Sequence, residues 1–288
     1  MQSLPGPGRS RRIGGLQRFV GPGIDLTQAT VPPDPATASD SDGLNFSGGL
    51  ALVIGASGGL GAALCQQLRS DTRFHQVLAA GRRGDPAISA DTDLDLDIAL
   101  PDESSIAAAA AHVDKLTRAG RPLRLVIDAT GFLHGNGFEP EKSWRQLDAA
   151  HMAHAFAINA IGPALLMKHF LPLLPRSGKA VFATLSAKVG SIGDNRLGGW
   201  YSYRASKAAL NQLVHTAAIE LARQKSQAIC VALHPGTVDT RLSSRFARSG
   251  LQVQTPEAAA ARLLAVIDGL SAKDTGGFFN HHGEPLPW

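Results

Sequence analysis

A chain of 288 residues in which 44% of the side chains are hydrophobic can bury one sizeable core, and nothing in it requires a second domain. The formal charge of +4 is carried by four arginines that precede the first acidic residue, Asp25, so the rest of the chain is neutral. A neutral body argues against nucleic acid or an anionic membrane as the principal partner, and no uninterrupted apolar run reaches the roughly 18 residues of a membrane-spanning helix.

Residues 1–47 are rich in Gly, Pro, Ser and Asp and lack apolar periodicity, which predicts a disordered leader. The early part is arginine-rich and acid-free, as organelle transit peptides are, but it has neither a clear amphipathic stripe nor the apolar core of a secretory signal. An idle tail or a misassigned start codon is favoured over organelle import. The two cysteines, Cys65 and Cys230, are typical of core residues, so we expect a reducing, cytoplasmic environment.

From residue 48 onward, short apolar runs alternate with helical stretches, which is the pattern of βα units. This predicts one α/β domain over residues 48–288, with a parallel sheet covered by helices on both faces. In the first unit, the apolar run Leu50 to Ile54 precedes a glycine-rich turn, and a helical stripe of Leu60, Leu64 and Leu68 follows it.

The turn itself reads Gly-Ala-Ser-Gly-Gly-Leu-Gly over residues 55–61. Glycines let backbone N–H groups approach a pyrophosphate, and the positive end of the next helix faces that anion. An ordinary tight βα connection is the alternative, but the strand before the turn and the helix after it favour dinucleotide binding. The candidate contacts are Gly55, Ser57, Gly58, Gly59, Leu60 and Gly61.

A second strand, Gln76 to Ala80, ends in Gly81-Arg82-Arg83. An acidic residue at this strand end would bind the adenosine ribose hydroxyls of NAD, whereas a guanidinium can pair with the 2′-phosphate of NADP. The two arginines, Arg82 and Arg83, therefore favour NADP(H) over NAD(H). The alternative is that both are solvated turn residues.

Tyr203 precedes Lys207 by four residues, so on a helix the phenol and the ammonium share one face. A cation held alongside a phenol favours the phenolate, which predicts a lowered pKa for Tyr203 and a role as general acid. The alternative is a surface turn of helix with a weak polar contact.

The glycine spacing and the Tyr-x-x-x-Lys pair, in this order and separation, resemble the short-chain dehydrogenase/reductase family over roughly Gly48 to Trp288. The resemblance implies a single Rossmann-type, doubly wound parallel sheet of about seven strands. It also implies an NAD(P)-dependent oxidoreductase in which Tyr203 is the acid and Lys207 lowers the tyrosine pKa and holds the nicotinamide ribose. Asn159, in Ile-Asn-Ala-Ile-Gly-Pro, corresponds to the asparagine that helps hold a proton-relay water.

Three further segments fit the family. Residues 128–131, Asp-Ala-Thr-Gly, are similar to its N-N-A-G turn and depart from it at Asp and Thr. The Asp93 to Ile98 segment resembles the one that touches the adenine, with Asp95 and Asp97 as alternatives. Residues 234–240 resemble the Pro-Gly segment that closes over the nicotinamide. These segments add the cofactor contacts Asp97, Ala129, Gly131, Pro235, Gly236 and Val238.

One position departs from the family in a way that bears on activity. The serine that usually hydrogen-bonds the substrate carbonyl is replaced by Ala187, and the nearest hydroxyls are Ser186 and Ser191. Adjacent strand residues point to opposite faces, so Ser186 substitutes only if the strand end twists or bulges. We expect the substrate carbonyl to receive a second hydrogen bond besides that of Tyr203, with Ser186 as the candidate donor.

Within the family, the stretch from Gly190 to Lys207 and the closing residues 276–288 are similar to the sniffer and C-factor group of carbonyl reductases. In that group an insertion precedes the tyrosine, where Trp200 and Tyr201 either wall the substrate pocket or pack the loop. Residues 239–255 lie where the family has a substrate lid, whose arginines either favour an acidic substrate or keep the lid soluble: Arg241, Arg245 and Arg248.

The helices that pair subunits in the family correspond to residues 144–174 and 203–224, which implies a homodimer or a homotetramer. No metal site is predicted, because the histidine pairs lack a third ligand at suitable spacing. Those residues are His151 with His154, and His281 with His282 and Glu284.

These features predict an NADPH-dependent oxidoreductase that reduces a small-molecule aldehyde or ketone to an alcohol, or runs the reverse oxidation. One alternative is a catalytically weak, nucleotide-binding member that acts in signalling or regulation, which the missing serine favours. The other is an epimerase or dehydratase of the extended group, but too few residues follow the Pro-Gly segment to build a separate substrate domain.

Overall fold

The computed structural model describes residues 48–82, 95–243 and 253–288. The proposed leader, Arg83 and the lid arginines Arg245 and Arg248 lie outside the described residues.

Seven parallel strands form one sheet, which confirms the predicted α/β fold. They are β1 Gly49–Ile54, β2 Phe74–Gly81, β3 Leu96–Asp97, β4 Leu123–Asp128, β5 Ala180–Leu185, β6 Ala228–His234 and β9 Phe278–Asn280. Their order across the sheet is β3-β2-β1-β4-β5-β6-β9. The helices are α1 Gly59–Arg69, α2 Glu103–Arg118, α3 Ala149–Phe156, α4 Gly162–Phe170, α5 Tyr201–Gln224 and α6 Pro256–Gly269. Two short strands, β7 Thr237–Val238 and β8 Val253–Gln254, pair separately.

The strand order reverses between β1 and β4, because the chain runs outward from β1 through β2 to β3 and then returns to β4 on the other side. In a doubly wound sheet this switch point opens a crevice at the carboxyl ends of the strands, where ligands bind. Ile54 at the end of β1 pairs with both Ala80 and Asp128, so the loops that follow three strands start side by side.

Apolar side chains alternate along the strands and supply a core on each face of the sheet. Leu52 and Phe182 belong to a cluster completed by α2, α4 and α5, whereas Val53 and Val181 belong to one completed by α1 and α6. Helices therefore cover both faces, as the pattern predicts. Cys65 and Cys230 are buried free thiols.

A π-helical turn at Ala157–Ile161 joins α3 to α4 in one continuous helix. The segment Ala149–Leu173 has a mean hydropathy of 1.3 over its most apolar window and is long enough to cross a membrane. This differs from the sequence expectation, because isolated His and Lys residues interrupt the apolar run, yet the mean hydropathy of the window stays at 1.3. Core helices of water-soluble proteins meet the same criterion, and this one packs against α2 and α5.

Replacing Gly61 with alanine tests how closely the glycine turn is packed. A Cβ at this position would overlap the carbonyl oxygen of Gly55 and lie 2.8 Å from its carbon, both backbone atoms that cannot move aside. We expect Gly61→Ala to lower the free energy of unfolding by about 1–3 kcal/mol in urea denaturation.

The matched control is Gly269→Ala at the end of α6, where a Cβ meets no heavy atom within 4 Å. That variant should be as stable as the parent or slightly more so. Equal stability of the two variants would contradict the close contact between Gly61 and Gly55.

Candidate active site

The glycine turn and the loop after β4 contact each other at the switch point. Gly55 N and Ala56 N donate to Ala80 O at 2.9 and 3.0 Å, and Ala129 N donates to Ile54 O at 2.8 Å. Gly55 has a φ of 81°, and a Cβ there would lie 3.0 Å from the carbonyl carbon of Ala129. Glycine is required at this position by both its conformation and its surroundings.

The amino end of α1 faces this crevice. Its first turn contains no acidic residue, and its N-cap, Gly58, makes no side-chain capping bond within the described part of the chain. Gly58 and Gly59 are exposed, Ser57 is half-buried, and Leu60 points into the core. Gly58 N donates to Gly55 O at 3.0 Å, and the N–H groups that follow it, at the positive end of the helix, match an anion such as a pyrophosphate, so the turn fits the predicted dinucleotide.

The edge of the sheet beyond the glycine turn holds the arginine expected to distinguish NADP from NAD and the two aspartates considered for the adenine contact. Arg82 follows the last residue of β2 and is exposed. Asp95 Oδ2 accepts a hydrogen bond from Ala79 N at 2.7 Å, whereas Asp97 is exposed and lies beside Gly81. Of the two candidate aspartates, Asp95 therefore supports the backbone, and Asp97 is the one placed at the carboxyl end of a strand.

Lys207 is buried deep in the site, with only 2% of its surface exposed. Its Nζ donates to Leu185 O, at the end of β5, at 2.7 Å. Burial lowers the pKa of Lys207 to about 8, and the negative charge of Asp128 opposes that shift.

Tyr203 is half-buried one turn earlier on the same helix, and desolvation raises its pKa to about 12. This is opposite to the direction predicted from the Tyr-Lys spacing. The difference arises because burial disfavours the phenolate, while the Lys207 ammonium is directed at a backbone carbonyl.

Asn159 lies in the π-helical turn and is fully buried. Its Oδ1 accepts from Phe132 N at 2.7 Å, and its Nδ2 donates to Phe132 O at 2.8 Å and to Ser206 Oγ at 3.0 Å. The amide therefore joins the loop after β4 to the residue just before Lys207. π-Helical turns occur frequently at functional sites. The sequence gives no signal for the one at Ala157–Ile161, because its residues continue the apolar pattern of the helices on either side.

Gly131 completes the group. A Cβ at this exposed position would lie 3.9 Å from both Lys207 Nζ and Asn159 Oδ1. The structure thus brings Lys207, Asn159 and Gly131 together at the carboxyl ends of β4 and β5, and Tyr203 precedes Lys207 by one turn of α5.

The two departures from the family turn sequence bind each other. Asp128 is fully buried, and its Oδ1 accepts from Thr130 N at 3.0 Å and Thr130 Oγ1 at 2.6 Å. Its Oδ2 accepts from Thr184 Oγ1 at 2.7 Å. A carboxylate can only accept, and each donor here is supplied by a neighbour, so Asp and Thr are matched replacements.

The two hydroxyls considered as substitutes for the missing serine are both buried and bonded within the protein. Ser186 Oγ donates to Asn211 Oδ1 at 2.6 Å, one helical turn beyond Lys207. Ser191 Oγ donates to Trp288 O at 3.2 Å and accepts from Asp194 N at 3.1 Å. Neither hydroxyl bonds Tyr203, Lys207 or Asn159 in the described structure. Ala187, at the position of the usual serine, is buried. The role of Ser186 stays a prediction.

The Pro-Gly segment is held by the β7–β8 pair. Gln254 Nε2 donates to Pro235 O at 3.2 Å, and the buried Val238 pairs with Gln254. Gly236 has a φ of 78°, and a Cβ there would lie 2.9 Å from the His281 ring. Thr240 is the last residue of this segment, and its Cγ2 would lie 3.4 Å from a Cβ built on Gly59, so the segment borders the glycine turn.

Histidines of both pairs considered for metal binding make ring contacts. His154 makes an edge contact with Phe132, and His281 packs on His282. Within the described ranges, no group of three or more His, Cys, Asp or Glu side chains is arranged to hold a metal ion.

The doubly wound sheet and the glycine turn at its switch point are those of a nucleotide-binding α/β protein, and comparison with known proteins shows its family. A family model for short chain dehydrogenases matches residues 49–249. The chain belongs to the short-chain dehydrogenase family.

Two curated relatives show how similar the chain is to other members of this family. The chain is 36% identical over 143 residues to the C-signal of Myxococcus xanthus, covering 49% of this chain and 81% of that protein. It is 31% identical over 242 residues to 1-hydroxy-2-glutathionyl-2-methyl-3-butene dehydrogenase of Rhodococcus sp. strain AD45, covering 82% of this chain and 98% of that protein.

Two solved structures share the fold. NADPH-bound carbonyl reductase from chicken fatty liver has a TM-score of 0.73 at 27% identity, covering 86% of this chain and 97% of that one. The carbonyl reductase Sniffer of D. melanogaster has a TM-score of 0.71 at 24% identity, covering 84% and 100%. The C-signal match and the family model, together with these two structures, confirm the resemblance to the sniffer and C-factor group, to which the Sniffer structure adds a likeness of fold.

The buried ammonium of Lys207 can be measured through stability. Its folded-state pKa of about 8 lies below the usual 10.5, so the folded state is penalised at neutral pH and the penalty disappears as pH rises through that window. We expect the stability of Lys207→Met minus that of wild type to fall by on the order of 3 kcal/mol between pH 7 and 10.5. Urea denaturation at several pH values measures this difference.

The control is Lys273→Met, which removes an exposed lysine and should show no such trend. Taking differences also cancels the contributions of Cys65 and Cys230, whose pKa values are raised by burial in both proteins. A difference for Lys207→Met that stays constant with pH would contradict a desolvated ammonium.

Proposed function

We propose that this protein is an NADPH-dependent oxidoreductase that reduces an aldehyde or ketone to an alcohol, with Tyr203 as the general acid. The observation that carries the proposal is the convergence of Lys207, Asn159 and Gly131 near a glycine turn that fits a pyrophosphate, with Tyr203 one helical turn before Lys207. The likeness to an NADPH-bound carbonyl reductase at 27% identity supports the same reaction class.

The residues present fit the cofactor. Glycines 55 and 61 leave room where any side chain would meet backbone, and the amino end of α1 is free of acidic residues. When bound, NADPH supplies the hydride. Gly58 and Gly59 would approach the pyrophosphate, Asp97 the adenine, Ala129 and Gly131 the ribose side, and residues 235–238 the nicotinamide.

The protein's own contribution is the proton. A phenol with a pKa of about 12 is fully protonated at neutral pH, so Tyr203 can donate from its hydroxyl to a carbonyl oxygen as that oxygen becomes an alkoxide. The O–H bond of Tyr203 breaks as the alcohol O–H bond forms, which leaves a phenolate. Lys207, one helical turn away, would stabilise that phenolate only after its ammonium turns from Leu185 O, and its pKa of about 8 suits proton exchange near physiological pH.

We assign Asn159 a positioning role, since its amide holds Phe132 and Ser206 on either side of the site. The family role of this residue in holding a relay water is retained as part of the proposal. The substrate carbonyl would receive its second hydrogen bond from a group other than the usual serine, with Ser186 as the candidate after its bond to Asn211 is released.

A regulatory, nucleotide-binding protein is the second candidate. Ala187 in place of the serine favours it, as does the 36% identity to a protein named C-signal. Removal of one donor to the carbonyl oxygen typically costs about a hundredfold to a thousandfold in rate, so the replacement weakens catalysis without abolishing it.

The proposed assembly is a cytoplasmic homodimer or homotetramer. Large apolar side chains are exposed on the helices that pair subunits in the family, with Ile161 50% and Ile219 47% exposed. Burial of these side chains between subunits would remove apolar surface from water.

Replacing Tyr203 with phenylalanine tests the reaction directly. Tyr203→Phe removes the proton donor and keeps the ring, so we expect NADPH oxidation with aldehydes, ketones and quinones to fall at least about a hundredfold. NADPH affinity, measured by fluorescence titration, should change by less than about threefold because the glycine turn is untouched.

The matched control is Tyr201→Phe, which alters the other tyrosine of the chain and should keep most of the activity. Full activity in Tyr203→Phe would remove the acid role. A wild-type protein that binds NADPH but reduces none of the carbonyl compounds would favour the regulatory candidate.

Cofactor preference is tested at Arg82, which follows β2 beside the glycine turn. A guanidinium there can bind a 2′-phosphate, a group that NADH lacks. We expect Arg82→Ala to raise the KM for NADPH about tenfold and to change the KM for NADH less than twofold.

Arg69→Ala, on the exposed face of the last turn of α1, is the control and should leave both KM values unchanged. An equal rise of the two KM values in Arg82→Ala would mean that Arg82 does not distinguish the cofactors.

A further inference from the structure

The helix that carries Tyr203 and Lys207 begins without a side-chain cap of its own. Its N-cap is Trp200, which has a φ of 53° and makes no side-chain capping bond. Gly198 and Gly199 before it are also left-handed, with φ values of 65° and 67°. The first N–H groups of α5 therefore need acceptors from elsewhere in the chain.

Glu141 supplies those acceptors, although it lies 61 residues away from Ser202. Its two carboxylate oxygens lie 3.3 and 3.2 Å from Ser202 N, and the carboxylate also accepts from the Ser202 hydroxyl. Its main-chain oxygen accepts from Trp200 N at 2.5 Å. An anion at a helix amino end is stabilised by the helix dipole as well as by these bonds.

Glu141 is only 2% exposed, so its charge needs compensation inside the protein. Hydrogen bonds from Ser202 supply part of it, and His151 on α3 lies on the other side, with Nδ1 3.3 Å from Glu141 Oε1 and 4% of the residue exposed. The imidazole is held by stacking on Phe138 at a ring separation of 4.9 Å and an angle of 5°. The carboxylate is therefore fixed from two sides, by α3 and by the start of α5.

The fixed point is adjacent to the proposed acid. Ser202 directly precedes Tyr203, and the Trp200 ring makes an edge contact with the Tyr203 ring at 6.2 Å. Arg204 on the other side donates to Gly199 O at 3.0 Å and to Val189 O at 3.1 Å. Movement of the Trp200 to Ser202 turn would change the direction of the phenol.

We propose that Glu141, supported by His151, is a positioning residue that fixes the first turn of α5 and so aims Tyr203 at the substrate carbonyl. The inference rests on the proposed function for its effect on rate. Its structural part, the capping of α5 by a remote carboxylate, can be measured without any activity. Displacement of a reacting group by about 1 Å can cost about a hundredfold in rate.

The test compares Glu141→Ala, Glu141→Gln and a control, Glu220→Ala, which removes an exposed glutamate from the same helix. Glu141→Ala should increase amide hydrogen exchange in residues 201–204, and Glu141→Gln should change it little, because an amide oxygen still accepts from Ser202 N. Glu220→Ala should leave exchange in that turn unchanged. Exchange is measured by mass spectrometry on folded protein, verified by circular dichroism.

Steady-state kinetics then distinguish a loss of positioning, which lowers kcat alone, from a general loss of structure, which also changes the KM for NADPH. Glu141→Ala should lower kcat about 10- to 100-fold while the KM for NADPH stays within about twofold, and Glu141→Gln should recover kcat to within about threefold of wild type. Should Glu141→Ala fail to fold, Ser202→Ala removes the hydroxyl contact alone and should lower kcat about threefold with the same unchanged KM.

Unchanged exchange in the first turn of α5, or increased exchange with unchanged kcat, would overturn the inference. So would a loss in kcat matched by an equal loss of NADPH affinity. A wild-type protein without carbonyl reductase activity would instead count against the proposed function, and the exchange measurement would still decide whether Glu141 caps the helix.

Discussion

The burial of one ammonium group, that of Lys207, constrains the rest of the site. Removing a charged amine from water is costly unless it is hydrogen-bonded and compensated. The bond to Leu185 O and the charge of Asp128 supply part of that compensation. The loop after β5 must also come close, since a Cβ on Gly190 would lie 2.8 Å from Lys207 Cβ.

The same burial determines what the site can do with protons. Desolvation acts in opposite directions on the two groups, because the charged form is the phenolate for Tyr203 and the ammonium for Lys207. The pKa of the phenol rises to about 12, and that of the amine falls to about 8. Under the proposed function, the phenol starts protonated near neutral pH, as a proton donor must.

The features that depend only on residues close together in the chain could be predicted from the sequence. The glycine turn between an apolar strand and a leucine-striped helix predicted the switch-point loop, and the alternation of strands and helices predicted the parallel sheet, which is confirmed. The four-residue spacing placed Tyr203 and Lys207 on one face of α5. These are properties of local backbone geometry and of the period of a helix.

Features that depend on tertiary surroundings could not be predicted in this way. The direction of the Tyr203 pKa shift depends on how much apolar structure covers the ring, which spacing alone does not determine. The bond from Ser186 to Asn211 and the contact between Glu141 and Ser202 join residues from different elements. The π-helical turn around Asn159 is hidden because its residues continue the apolar pattern of α3 and α4.

Three contacts from different parts of the chain determine the position of α5. Glu141 binds its first turn, Asn159 binds Ser206 at 3.0 Å, and Lys207 extends back to Leu185. Each contact comes from a different loop or helix, so a shift of the helix would break at least one buried polar bond, and an unmade buried bond is costly. Such a helix can hold a phenol in one orientation even though the residues beside it differ from those usual in the family. The bonds that hold Lys207 and Asn159 do not involve position 187, so under the proposed function the replacement of a serine by Ala187 acts on the substrate carbonyl.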